Sequence, residues 1–279
     1  MDSSSLSSKS PESKGFFSSL FDFTNDKEIN TTFASMKSQP NDAKTQQEAC
    51  DQLHKLAEKS DKNKLYMVKN GGIALIVSAM RNHSNHPDVQ ASACAALCVL
   101  ASHSSNTRET ISEHNAIAHV LEAMKNHADH AVVQANACGV LSWLALDIGR
   151  STIPLQGGIE LIAQAMKSHL NSVSVQMRGC EALCVLCMES EQNRNSVVER
   201  GGVESVFKSV KQYPLDDNVS RIAVKCLQEI AKNAALSKQI EVETIELCVD
   251  VLKKHPKDVS VQSKYLSMMN DLLKQRKAS

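Results

Sequence analysis

Three stretches of this chain can be laid over one another: GIALIVSAMRNH from Gly72, AIAHVLEAMKNH from Ala116 and GIELIAQAMKSH from Gly158. Each runs on into a second apolar stretch, DVQASACAALCVLA, VVQANACGVLSWLA or SVQMRGCEALCVLC. Self-similarity at a fixed period restricts a chain to repeat architectures, because one unit is too small to bury its own apolar face. The register extends beyond these three. The last apolar residue of the first stretch falls at Met36, Met80, Met124, Met166, Val210 and Leu252, in steps of 44, 44, 42, 44 and 42. Nine residues on come Thr45, Val89, Val133, Val175, Val219 and Val261, and eight beyond those Leu53, Leu97, Leu141, Leu183, Leu227 and Met269. Three more reach Leu56, Leu100, Leu144, Leu186, Ile230 and Leu272. Six units therefore occupy residues 24–277, and residues 1–23 form a tail.

Each unit reads as a short helix, a break and two longer helices. At about 100° per residue, Val89, Ala93, Leu97 and Leu100 fall within about 80° of one another, so they form one buried stripe. The break is Gly71-Gly72, Gly157-Gly158 and Gly201-Gly202, with Asn115-Ala116 as a weaker version. Paired glycines permit a sharp change of direction. Before it the short helix is expected over Asn63 to Val68, Asn106 to Ile111 and Asn193 to Val198, the leading Asn serving as N-cap. The third helix is expected to start near Pro87-Asp88 in the second unit and Lys257-Asp258 in the last. Terminal units of a stack face solvent on one side and should differ. The first unit has no clear glycine break, and the last has Glu243-Thr244 at that position.

Composition agrees with an all-α chain: aromatics are 4% of residues, while Ala, Leu and Val recur throughout. Lys plus Arg equal Asp plus Glu at 31 each, which disfavours nucleic acid and anionic membranes as partners. No run of about 18 apolar residues is available to enter a bilayer. Nine cysteines, an odd count in a long chain with no secretory leader pattern, point to a reducing compartment, cytoplasmic or nuclear.

The three-helix unit, with GGI at Gly71 to Ile73 and the run Val89-Gln90 through Ala93, Leu97 and Leu100-Ala101, resembles the armadillo repeat. The pattern of Met124 to His127 followed by Val133-Gln134 is similar to the armadillo stretches of large leucine-rich-repeat kinases and related multi-repeat proteins. The resemblance implies a right-handed superhelical solenoid of about six three-helix repeats, with HEAT repeats as the alternative fold. It also implies a protein partner bound along the concave face made by the third helices. Nuclear-import adaptors of the family carry a Trp/Asn ladder on that face. Here the first ladder position holds Asp51, Ala95, Gly139, Glu181, Lys225 and Ser267, and the second holds Lys55, Val99, Trp143, Val185, Glu229 and Asp271. That ladder is missing, so the importin mode of binding is not expected.

The candidate groove residues are Ala95, Val99, Gly139, Trp143, Glu181, Val185, Arg221, Lys225 and Glu229. Trp143, the single tryptophan, lies on the side of its helix away from the core stripe, with Val99 and Val185 in matching positions to either side. Ala95 and Gly139 are expected to leave room around this apolar strip, which has the character of an interaction site. The competing reading has Trp143 leaning into the gap between helices. Toward the C-terminus the face turns charged at Arg221, Lys225 and Glu229, suiting a partner with an apolar anchor followed by an acidic stretch.

Cys180, Cys184 and Cys187 share one helix face, but zinc needs four tetrahedral ligands, and Cys50, Cys94, Cys138 and Cys180 fill one repeat position. Packing explains them better than metal, and no cofactor is expected. His83, His127, His169 and His255 each follow the stripe residue by three, where imidazole can cap carbonyls at a helix C-terminus. Motifs for acyl, phosphoryl, metal or dinucleotide chemistry are lacking, so the chain reads as a non-enzyme with no small-molecule substrate. The Ser-rich residues 1–14 are expected to be disordered, with Ser10-Pro11 a generic phosphosite. Phe16, Phe17, Leu20 and Phe21 either cap the first repeat or dock on a partner. Two functions follow: a scaffold binding a partner segment in the groove, or a regulatory or structural subunit whose solenoid is a rigid spacer with contacts through the tail or convex face.

Overall fold

The computed structural model describes the backbone of residues 13–232 and 237–278, and the side chains of 25–232, 238 and 240–270. The Ser-rich stretch 1–12 and the side chains of Phe16, Phe17, Leu20 and Phe21 lie outside the described residues. Among the described residues there are sixteen helices and no strand. Unit one is α1 (Ser13–Ser38) and α2 (Ala43–Lys59). Unit two is α3 (Asp61–Lys69), α4 (Gly72–Asn82) and α5 (Pro87–Ala101), and unit three is α6 (Ser105–Glu113), α7 (Ala116–Asn126) and α8 (Ala131–Leu144). Unit four is α9 (Gly149–Leu155), α10 (Gly158–Ser168) and α11 (Val173–Cys187). Unit five is α12 (Glu191–Glu199), α13 (Gly202–Gln212) and α14 (Asp217–Ala231), and unit six is α15 (Ser237–Lys254) and α16 (Val259–Ala278).

The break between the first two helices of units two to five rests on one backbone conformation. Gly71, Gly157 and Gly201 have φ of 82°, 81° and 75°, and Asn115 has 58°. That left-handed residue ends one helix and starts the next. The residue after it is tight for a different reason: a Cβ on Gly158 would stand 2.3 Å from Ile153 Cγ2 and 2.9 Å from the Ile153 carbonyl. Units one and six have no such residue, and their first two helices run together as α1 and α15.

The apolar stripe forms the core. Val89, Ala93, Leu97 and Leu100 are buried, as are Val133, Ala137, Leu141 and Leu144 in the next unit. Burying each Leu contributes about 1.5–3 kcal/mol, which no unit could collect without a neighbour. The third helices α2, α5, α8, α11 and α14 pack side by side in that order, each backed by the second helix of its unit. Cys50, Cys94, Cys138 and Cys180 are fully buried in this layer, and burial pushes the thiols of Cys50, Cys138 and Cys180 up to about 12.

Polar residues at fixed positions finish the helix ends. The Gln after the motif Val donates through Nε2 to two carbonyls at the end of the preceding helix. Gln90 reaches Met80 and His83 at 2.9 Å each, and Gln134 reaches Met124 at 2.9 Å and His127 at 2.8 Å. Gln46, Gln176 and Gln262 repeat the arrangement. One buried amide thus satisfies a carbonyl that the helix leaves orphaned and shares a second with a turn N–H, as at His83 O, which also accepts from His86 N–H at 3.0 Å.

Two local expectations are corrected. The N-caps of α3, α6 and α12 are Ser60, Ser104 and Ser190, whose side chains accept from Asn63, Thr107 and Asn193 N–H at 3.2 Å each. Asn63 and Asn193 lie one turn inside the helix and donate to Leu56 O at 2.7 Å and Leu186 O at 2.8 Å, so serine takes the cap while the longer Asn reaches the previous helix. Of the histidines, His83, His127 and His169 bond a carbonyl of the preceding repeat and not one of their own helix. His83 Nε2 donates to Pro40 O at 2.9 Å, His127 to Ser84 O at 2.8 Å and His169 to Ala128 O at 2.8 Å. They stitch successive units together.

Candidate functional site

The face of the third helices opposite the second helices is the concave groove. Three positions per helix point into it, at two, six and ten residues beyond the motif Val. In the middle units these are Ala91, Ala95 and Val99, then Ala135, Gly139 and Trp143, then Met177, Glu181 and Val185. Arg221, Lys225 and Glu229 follow on α14.

Val99, Trp143 and Val185 are half-buried and packed against the core. They occupy matching positions on three neighbouring helices, and each is partly exposed. Trp143 is thus neither fully exposed nor enclosed between helices. Ala95 and Glu181 are half-buried, Gly139 is buried, and Arg221 and Lys225 are exposed. Glu229 is tied to Lys232 at 2.7 Å, which leaves Arg221 and Lys225 as the open charges at this end.

The room expected at Gly139 is filled. Arg178 on α11 reaches back over α8, and its Nη1 lies 3.5 Å from Cys98 Sγ on α5, two units away. A Cβ on Gly139 would stand 2.5 Å from that Nη1 and 3.0 Å from Cys98 Sγ. The guanidinium therefore lies in the slot that the missing side chain creates. Burial raises the Cys98 thiol pKa against the opposing pull of Arg178, and burial likewise raises the Glu181 carboxyl, again opposed by Arg178.

Reading the sequence missed Arg178 because it stands three residues beyond the motif Val, one place off the groove ladder. A signal was present: that position sends its side chain to the preceding repeat. Asn136 donates to Ala91 O at 3.0 Å, and Lys264 donates to Asp217 at 2.7 Å. Among the ladder residues at the Gly139 position only Gly139 lacks a side chain, so a long Arg one unit later had somewhere to lie. Among the described residues no cluster of His, Cys, Asp and Glu could hold a metal, and no helix is long and apolar enough to cross a membrane.

The family model for the LRRK2 ARM repeat matches residues 22–150. No curated protein sequence matches the chain. Among solved structures, an engineered protein of the Northeast Structural Genomics Consortium is similar with a TM-score of 0.71 and 22% identity, covering 90% of this chain and 97% of its own. A second engineered protein from the same consortium has a TM-score of 0.74 and 20% identity, covering 88% of this chain and 98% of its own. A designed armadillo repeat protein in complex with the peptide (KR)4 has a TM-score of 0.65 and 14% identity, covering 89% and 98%. Residues 22–150 thus resemble the LRRK2 ARM repeat family, and the chain as a whole has the armadillo-repeat fold of these solved structures.

Proposed function

We propose that the chain is a scaffold or adaptor that binds an extended segment of another protein along its concave groove. The observation that carries this reading is the strip of Val99, Trp143 and Val185, half-buried at matching positions on three consecutive helices. Apolar surface centred on a tryptophan has the composition of an interface hot spot. A designed protein of the same fold is in complex with a peptide, which supports a peptide ligand here. That peptide is basic, whereas the open charges beyond the strip here are Arg221 and Lys225. A reducing compartment, the cytoplasm or nucleus, suits nine free, buried thiols.

Affinity capture with the wild type and with Val99→Glu/Trp143→Ala/Val185→Glu tests the reading, with circular dichroism showing that both are folded. Partners that disappear only with the variant support the groove. An unchanged set of partners overturns it.

A second reading, contact through the outer surface with the solenoid as a spacer, is favoured by one observation. Leu146, Ile148 and Leu155 at the first helix of unit four are 37%, 57% and 83% exposed. The matching positions in units two, three and five are polar: Ser60, Ser104 and Ser190, then Lys62, Asn106 and Gln192, then Lys69, Glu113 and Glu199. Substituting Ile148→Gln and Leu155→Glu together should remove partners captured through this surface and leave groove partners in place.

A further inference from the structure

We infer that the middle of the groove is a receptor for a carboxylate, and that the bound segment is acidic, with Arg178 the side chain that selects it. This rests on the groove reading above and adds the chemistry of the ligand.

Arg178 carries five N–H donors in a planar fork. Its one hydrogen-bond partner among the described residues is the Cys98 thiol, a weak acceptor at 3.5 Å. Glu181, three residues along the same helix, is a nearer acid by sequence, yet no ion pair joins the two. The guanidinium is instead laid across α8 in the Gly139 slot, and the side chain is half-buried. Such a group is pre-placed for a bidentate carboxylate, and little is lost when it turns toward one, because only a thiol contact is given up.

The surrounding charge points the same way. Along the groove from α11 to α14 the unpaired cations are Arg178, Arg221 and Lys225. The acids on this stretch are Glu181, whose carboxyl pKa burial pushes up, and Glu229, which is tied to Lys232. Val99, Trp143 and Val185 lie on the same three helices that Arg178 spans, so an apolar side chain of the ligand and an acid next to it can be held together. Low local dielectric strengthens the charged contact relative to one on open surface.

The test is selection of random peptides of about twelve residues, which at about 3.3 Å per residue and about 10 Å per repeat cross roughly four units. Full-length wild type, Arg178→Gln, Gly139→Ala and Val99→Glu/Trp143→Ala/Val185→Glu serve as baits. Wild type should select an apolar residue beside Asp or Glu. Arg178→Gln should keep the apolar preference and lose the acid, and a peptide chosen by wild type should bind this variant about tenfold more weakly. Arg178→Lys should restore part of that loss, since one charge survives without the fork. Gly139→Ala changes no charge but evicts the guanidinium, so a similar loss there separates placement from net charge. Peptides selected with no acid preference, or an acid preference that survives Arg178→Gln, overturn the inference and leave the groove reading standing. Equal selection by wild type and the triple variant overturns both.

Discussion

Units two to five and units one and six carry the same third-helix stripe but part company before it. The inner units bend sharply between two helices, whereas the end units run straight through as α1 and α15. The difference lies in two adjacent residues. Inner units have one residue that tolerates positive φ, followed by one with little or no side chain. Glu243-Thr244 offers neither, and Thr244 instead is fully buried with its hydroxyl donating to Ile240 O at 2.6 Å inside a continuous helix. The bend is thus a local instruction that packing then rewards, and where it is missing the fused helix still packs on the neighbouring unit, α1 on α4 and α15 on α14.

The sharpest way to break the comparison is to make an inner unit carry an end unit's side chain. Gly158→Val puts a branched side chain where even a Cβ would meet Ile153 Cγ2 at 2.3 Å and backbone oxygen at 2.9 Å. Ile153 is itself fully buried and has nowhere to go. A loss of about 3 kcal/mol or more in urea unfolding is expected, at the upper end for overpacking. A loss below about 1 kcal/mol would show that the second residue of the break is not a packing constraint. Gly157→Ala, which meets no atom within 4 Å but must adopt φ near 81°, should cost less, about 1–2 kcal/mol.

A second substitution asks whether the inner units depend on their shared glutamine. Gln134→Leu keeps the volume, strands the Met124 carbonyl, now bonded at 2.9 Å, and removes one of two donors from the His127 carbonyl, now bonded at 2.8 Å. One buried acceptor, Met124 O, loses its donor, while His127 O keeps the His130 N–H at 3.0 Å, and a cost of about 1–3 kcal/mol follows. Unit five already lacks this residue: Ser220 bonds its own helix at Asp216 O, 2.6 Å away. The matching substitution there, Ser220→Ala, should therefore cost less than about 1 kcal/mol. Equal losses in the two units would remove the glutamine from the account.

What could be read from the sequence and what could not follows from how far each interaction reaches. The stripe, the breaks and the oddness of both end units depend on residues within one turn or one unit, and periodicity exposes them. The caps were misread because Ser60 and Asn63 both have cap chemistry, and only the backbone decides which stands at the boundary. The histidine bonds to Pro40, Ser84 and Ala128 cross between units, so their spacing was visible but their partners were not. Arg178 is the extreme case. Its placement depends on a missing side chain at Gly139 and a thiol at Cys98, in two different repeats. Pro154 gives a milder one: it has no N–H for the Arg150 carbonyl four residues back, and Asn193 of the next unit supplies a donor at 2.9 Å.

A third substitution approaches from the other end of the comparison, by giving an end unit the first half of the instruction. Glu243→Gly in α15 permits a bend but leaves buried Thr244 in the following place. The helix should lose about 1 kcal/mol, the usual cost of glycine in a helix interior, without acquiring a break. Hydrogen exchange should quicken in α15 and α16 alone, since unit six packs on unit five and stability in a stack is passed between neighbours. Faster exchange reaching α11 would mean that the ends and the middle are not separable in this way.

The smallest effect is the most discriminating, because two opposing terms nearly cancel. Asn115 is the one inner break residue that is not glycine, with φ of 58° and no side-chain cap bond. Asparagine tolerates the left-handed region better than other side-chain-bearing residues but still lies above glycine there. Asn115→Gly removes that strain, and at the same time it loosens the unfolded chain, which costs about 0.4–1 kcal/mol. Relief of about 1–2 kcal/mol at a fully strained residue would win clearly, so the reduced strain of asparagine leaves a net gain of about 0.5 kcal/mol. Thermal unfolding of the single variant would read this as a rise of about a degree in Tm for a chain of this size. A fall in Tm would show that the asparagine side chain contributes something that the three glycine breaks do without, and that unit three bends by a means of its own.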